Sequence, residues 1–354
     1  MARADPLLIE LASGGFEGVM ATITHLQVNS AIEHRMQGLL WAWVETGNFA
    51  IESEASELLA TSVLSARVRS RRLSEAAADL SSELSHRDLD VAVFKGIATE
   101  RRWYKRQGER PAVDLDLWLA PHQLDHAGEV VERIQPNHPL ADQISSLVSN
   151  RRIRSVDLVW NGIPVDLHFD PFKFGVWYEG LEEVWADTED LGDGYRTMGS
   201  AAELLVALLH LNKDRFSRLL GFVDVVRASA RPEVAEKTWR LATEIGVSVP
   251  VACSAQAVGE TLGMDIPIPA PRPGWRTRAW SRLWPEKSRL LGSGGYQQMR
   301  HRQDLIPLLC DGRSSEAIAH LRHVWFPPRA LLDYFNPHVK GLPYPLALWK
   351  ARTN

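Results

Sequence analysis

The chain has 354 residues, enough for two or three domains, with 45% hydrophobic and 24% charged residues and a formal net charge of −4, a composition ordinary for a soluble globular protein. No stretch approaches the ~18 uninterrupted apolar residues of a membrane span. The first residues, Met-Ala-Arg-Ala-Asp-Pro, lack the basic-then-apolar layout of a signal peptide, so a cytoplasmic location is the default expectation. Cys253 and Cys310 sit in apolar, helix-like surroundings and read as buried reduced thiols rather than a disulfide or metal pair. The charge is unevenly spread: from Arg272 onward there are fourteen Lys/Arg against five Asp/Glu. Such a basic end either meets an anionic partner or is simply a solvated surface.

In chain order, an apolar stripe of Leu26, Ile32, Met36, Leu39, Leu40 and Trp43 predicts a helix over 24–45. A longer helix is expected over 52–84, with Leu58, Leu59, Val63, Leu64, Val68, Leu73, Ala77, Leu80 and Leu84 inward. Its Arg67, Arg69, Arg71 and Arg72 form a basic patch of the kind an exposed face carries. Next comes the short apolar run Val91-Ala92-Val93-Phe94, which ends in Lys95-Gly96. The segment 113–119 then alternates strictly, with Val113, Leu115, Leu117 and Leu119 on one face and Asp114, Asp116 and Trp118 on the other. That period is the mark of a half-buried strand. A rise of about 3.3 Å per residue would put the two carboxylates roughly 6.6 Å apart at Cα, pointing the same way and suited to a divalent metal.

A helix is expected over 121–134. Asn161-Gly162 between alternating runs predicts a two-residue hairpin with a type I′ turn. Pairing Trp160 with Ile163 would set Asp157 opposite Asp166, two carboxylates that repel unless a cation or proton intervenes. The second arm repeats the earlier pattern, with Asp166, His168 and Asp170 sharing a face. From Ser200 the chain is expected to be helical, opened by a Ser200/Glu203 capping box. Further helices are expected over 216–230, 232–245 and 249–262, the last two stopped by Gly246 and Gly263. The segment 267–285, rich in Pro and Trp, reads as a linker. Two more helical stretches, 303–309 and 315–323, precede an irregular tail.

Asp-x-Asp alone is weak evidence. Placed on a strand, after a strand ending in Lys-Gly and before another acidic strand, it carries more weight. The layout resembles the polymerase-β nucleotidyltransferase superfamily, and more closely the uncharacterised nucleotidyltransferase family. The residues that carry the likeness are Phe94-Lys95-Gly96, the run from Arg110-Pro111 to Asp114-Leu115-Asp116, and Val165-Asp166-Leu167-His168. It extends to His210-Leu211-Asn212-Lys213, Phe222-Val223-Asp224 and Trp325-Phe326-Pro327-Pro328, with Asp214 standing where the family often has a second His.

The resemblance implies an α+β fold: a helical region over 1–86, a nucleotidyltransferase core with a small mixed sheet over 87–195, and a helical region over 196–354. It implies an enzyme that moves NMP, by default AMP from ATP, to a hydroxyl of a small molecule, peptide or protein; an RNA end stays open, less expected because the chain is acidic overall and carries no recognised RNA-binding module. Asp114, Asp116 and Asp166 would hold two Mg²⁺ ions, with Mn²⁺ as a substitute, and carry the catalysis. Lys95, Gly96, Arg110 and Lys213 would meet the NTP phosphates, Gly96 by opening a helix whose N–H groups bind anions. His168 and Asp157 are auxiliary candidates. Bland roles stay open beside these: Lys95 as a strand-end surface residue, Arg110 as a salt bridge to the acidic strand, His210 with Asp224 as a structural pair. Two rival functions also remain. One is a nucleotide-binding partner protein; the other is an Asp-x-Asp glycosyltransferase, which needs several βα units ahead of the motif. An Asp-x-Asp-x-Thr phosphatase is excluded by Trp118.

Overall fold

The computed structural model describes residues 4–14, 22–46, 49–172, 177–214, 216–283, 303–310 and 314–353. Its fold is α+β, mostly helical, around a small mixed sheet. Helix α1 spans Pro6–Ser13, α2 His25–Glu33 and α3 Gln37–Glu45. Two-residue strands β1 (Thr22–Ile23) and β2 (Ala50–Ile51) pair in parallel. The single helix expected over 24–45 is thus two. The chain turns at His34-Arg35-Met36, where Arg35 adopts φ 59°, a left-handed conformation that no helix interior allows. Leu26, predicted inward, is 79% exposed.

Helix α4 (Ser53–Ser85) follows the predicted stripe closely: Leu59, Val63, Leu73, Ala77, Leu80 and Leu84 are buried. Leu64 and Val68 are exposed, because a single buried stripe on so long a helix cannot hold every apolar residue. The chain continues through β3 (Val91–Val93), α5 (Gly96–Trp103), β4 (Leu115–Leu119), a 3₁₀ turn, α6 (Ala127–Ile134) and α7 (Ala141–Ser149). The hairpin β5 (Ser155–Trp160) and β6 (Ile163–His168) follows. It forms as expected, with Trp160 opposite Ile163 and positive φ at Asn161 and Gly162. After α8 (Leu181–Ala186) come the short strands β7 (Glu189–Asp190) and β8 (Arg196–Thr197).

The six strands lie in the order β5-β6-β4-β3-β8-β7. Strands β4 and β6 run parallel, in register at Asp116↔Asp166. One sheet face packs Val93, Leu117, Leu119 and Leu167 on the C-terminal half of α4 and on α6 and α7. The other places Ala92, Phe94 and Trp118 in a core shared with the N-terminal and later helices. Strand β4 is therefore buried along its whole length, not half-buried as alternation predicts. Trp118 rests edge-on against Trp185, ring centroids 5.1 Å apart.

The helices α9 (Ser200–Lys213), α10 (Leu219–Ser229), α11 (Pro232–Ile245) and α12 (Ser248–Leu262) pack on one another; Gly246 and Gly263 end the last two in left-handed caps. The expected capping box at Ser200/Glu203 is absent. Gly199 is the N-cap, while Ser200 Oγ and Glu203 Oε2 both accept from the buried Arg102 at 3.0 Å. That guanidinium also bonds Thr197 and the Met198 carbonyl, joining α5, β8 and α9. The stretches expected over 303–309 and 315–323 form a 3₁₀ helix (Gln303–Leu309) and α14 (Ser314–Trp325). The 267–285 segment, read as a linker, instead holds a helix, α13 (Trp275–Leu283), and the tail read as irregular carries α15 (Arg329–Phe335) and α16 (Tyr344–Thr353). Short amphipathic helices between prolines give too few periods for pattern to detect. Cys253 and Cys310 are buried and not disulfide-linked. Among the described residues no helix is long and apolar enough to cross a membrane.

Candidate active site

The end of β3 feeds directly into α5 through two residues with positive φ, Lys95 (52°) and Gly96 (34°). Glycine accepts that region readily; lysine does so under strain, which marks this junction as over-determined by its surroundings. The Lys95 ammonium crosses to Asp116 Oδ1 at 3.0 Å. Asp116 is the second residue of β4, beside Asp166 on the parallel β6, and Asp114 lies just before β4 begins. Below them His168, fully buried, places Nε2 3.0 Å from Asp116 Oδ1 and 2.9 Å from Asp166 Oδ2. The ring also meets Phe94 edge-on at 4.6 Å. One imidazole nitrogen thus bridges two carboxylates on neighbouring strands and fixes their rotamers.

These charges are strongly coupled. Burial acts to raise the Asp116 carboxyl, but Lys95 and His168 together hold it well below the ordinary range. Asp114 goes the other way: burial, then the Asp116 and Asp166 carboxylates, push it up. Crowded acids of this kind are what a divalent cation relieves. Asp116, Asp166 and His168 offer ligand atoms all within 4.8 Å of one another, a set that could hold a metal ion, and Asp114 lines the same cleft. The oxygen-rich donors suit a hard cation, with the imidazole already committed to orienting them.

The cleft, about 240 Å³, opens between the sheet and α9–α10. Lys95, Gly96, Arg110, Asp114, Asp116, Asp166 and Lys213, seven residues singled out from sequence, all line it. Two do not. His168 lies beneath the carboxylates, and Asp157, although opposite Asp166 in register, is exposed and outside the lining. Arg110 does not bridge to the acidic strand: its Nε and Nη2 donate to the two Asp224 oxygens at 2.9 and 2.8 Å, and its Nη1 to the Gly96 carbonyl at 3.1 Å. Tyr104 Oη donates to the same Asp224 at 2.6 Å, so Asp224 is not the partner of His210. His210 pairs instead with Asp214, Nε2 to Oδ2 at 3.1 Å. Burial lowers the imidazole against Asp214's pull, while Asp214, opposed by burial, is drawn down to about 2 by His210.

Several lining residues escaped the sequence reading. Arg35 arrives from the α2–α3 turn, Arg218 from the start of α10, and Glu203 from α9. Nothing periodic marks them, since each reaches the cleft only through helix packing. Glu100 is a further hidden organiser. Its Oε1 accepts from the Gly108 amide at 2.6 Å, and the other oxygen from the buried Ser70, holding the loop that delivers Arg110.

The site thus sets carboxylates on parallel neighbouring strands, a Lys-Gly helix start beside them and a helical wall opposite. Residues 25–263 match the family described as uncharacterised nucleotidyltransferase, and the chain belongs to that family. It is a transferase, and the family implies an NTP as substrate. No curated protein and no solved structure gives a match. The glycosyltransferase alternative falls with this assignment and with the fold: ahead of β3 the described residues hold helices and one two-residue strand pair, not βα units.

Proposed function

We propose that the chain transfers NMP, with ATP the default donor, to a hydroxyl of a small-molecule, peptide or protein acceptor, with two Mg²⁺ ions held by Asp114, Asp116 and Asp166. The observation that carries the reading is the convergence of those carboxylates in one cleft with Lys95, Arg110, Lys213, Arg35 and Arg218. Bound there, the ions would neutralise the triphosphate and polarise the attacking hydroxyl. The chain's own residues supply the rest. His168 locks Asp116 and Asp166 so that little reorganisation accompanies reaction. The Gly96 helix start offers backbone N–H groups to phosphate oxygens. Lys95, held at Asp116, is placed to move onto the phosphates, and Lys213 reaches them from α9. The hydroxyl oxygen attacks the α-phosphorus, the bond to the bridging oxygen breaks, pyrophosphate leaves, and the hydroxyl proton passes to Asp166 and on to water.

Incubation with each labelled NTP, Mg²⁺ and a panel of acceptors tests this, alongside Asp114→Asn and Asp166→Asn. Transfer abolished by both substitutions is the expected result. Equal labelling by wild type and variants refutes it, and nucleotide binding without transfer to any acceptor points instead to a partner protein.

A further inference from the structure

The cleft contains cations that no carboxylate holds in a direct hydrogen bond or ion pair. Lys95 is engaged by Asp116 at 3.0 Å and Arg110 by Asp224 at 2.8 Å. Among the described residues, the side chains of Arg35, Lys213 and Arg218 make no hydrogen bond or ion pair, although all three line the cleft.

Backbone geometry brings them together. The His34 carbonyl accepts from the Leu220 amide at 3.3 Å, which ties the α2–α3 turn to the first turn of α10. Arg35 follows His34 in the left-handed conformation that turns it away from the helix path, and Arg218 is the N-cap residue of α10. Lys213 ends α9. Helix α10 opens with no side-chain cap and no acid in its first turn, so its positive end is not offset locally. Leu220 and Gly221 of that turn face the same space. Asp214 bonds His210 at 3.1 Å and acts on Arg35, Lys213 and Arg218 through its charge alone, with no ion pair to any of them. Burial, then Arg218 and Arg110, depress the Arg35 guanidinium, and the charges of Asp114 and Asp214 offset this only in part.

We propose that Arg35, Arg218 and the first turn of α10, with Lys213 at the edge, form a phosphate site that receives the terminal phosphates of the NTP, the portion that leaves as pyrophosphate. This rests on the nucleotidyltransferase reading. These cations line the same cleft as Asp114, Asp116 and Asp166, and Arg35 lies close enough to Asp114 to feel its charge. Forked guanidiniums and helix N–H groups match phosphate oxygens in geometry and charge. The N-terminal helices thereby supply a substrate contact to a site built mainly by the sheet and α9–α10.

The test is calorimetric binding to the full chain, with Mg²⁺, of inorganic pyrophosphate, an α,β-methylene NTP analogue and NMP. Wild type is compared with Arg35→Gln, Arg218→Gln, the charge-retaining Arg35→Lys, and Arg71→Gln on the exposed face of α4. The expected result is that both Gln variants weaken pyrophosphate and the analogue at least about tenfold. NMP binding stays within about twofold, and Arg71→Gln matches wild type. Melting temperature should hold or rise in the Gln variants, because each removes one member of a like-charge pair; a residue needed only for folding would lower it. Should Arg35→Gln fail to fold, Arg218→Gln and Arg35→Lys carry the comparison. Unchanged pyrophosphate binding, or an equal loss for NMP, overturns the proposal. A raised acceptor KM with unchanged pyrophosphate and analogue binding also overturns it, by moving the anion to the acceptor. Failure of wild type to bind any of the ligands overturns the nucleotidyltransferase reading itself.

Discussion

Replacing Asp224 with asparagine should destabilise the protein far more than an isosteric change suggests. Asp224 accepts two parallel bonds from Arg110, at 2.9 and 2.8 Å, and a third from Tyr104 at 2.6 Å. The two side chains are only 13% and 8% exposed. The substituted amide would keep one acceptor oxygen but turn an NH₂ toward the guanidinium fork, leaving a buried cation with no counter-charge. Removing one partner of a buried pair costs about 3–5 kcal/mol. Arg110 keeps its bond to the Gly96 carbonyl and has some cleft exposure, so roughly 3 kcal/mol is expected, the low end of that range. Urea unfolding followed by tryptophan fluorescence measures it. Arg110→Leu with Asp224→Leu should recover much of the loss, because no charge is then stranded. An Asp224→Asn variant within about 0.5 kcal/mol of wild type would refute the reasoning and show the pair to be solvated.

Three further outcomes are expected. Gly38→Ala, which by helix propensity should gain about 1 kcal/mol, should instead lose about 1–3 kcal/mol: its Cβ would sit 2.2 Å from the Gly108 carbonyl oxygen. Chemical denaturation decides the sign. Burial raises Glu203 to about 7, against the pull of Arg102, from an ordinary 4.5. The folded state thus holds its proton over that window, and stability should fall by roughly 3 kcal/mol as pH rises through it. Glu203→Gln should remove that fall, and a slope identical to wild type would disprove it. His168→Phe deletes the N–H shared by Asp116 and Asp166 and should lower transfer about 10–100-fold while nucleotide binding is largely kept. Transfer at the wild-type rate would show that the carboxylates need no such support.

Much of the site was legible because strand chemistry is local. Period-two alternation put Asp116 on a strand, though that strand starts one residue after Asp114, and Asn161-Gly162 set the hairpin register that pairs Asp157 with Asp166. The roles of Arg110, His210 and Asp224 were not legible. Their partners lie across helix packing, with 114 residues separating Arg110 from Asp224. The Ser200/Glu203 signature misled for the same reason: a buried Arg102 from α5 outcompetes the local cap for both side chains.

Sequence alone therefore determined the elements that carry the acids, because alternation, turn residues and Lys-Gly punctuation act within a few residues of the chain. Tertiary structure decided which groups share the cleft. It brought Arg35 and Arg218 to one wall, placed His168 beneath two carboxylates and turned Asp157 outward. Those outcomes follow from helix packing on a twisted sheet, where position in space depends on every buried contact and not on spacing along the chain.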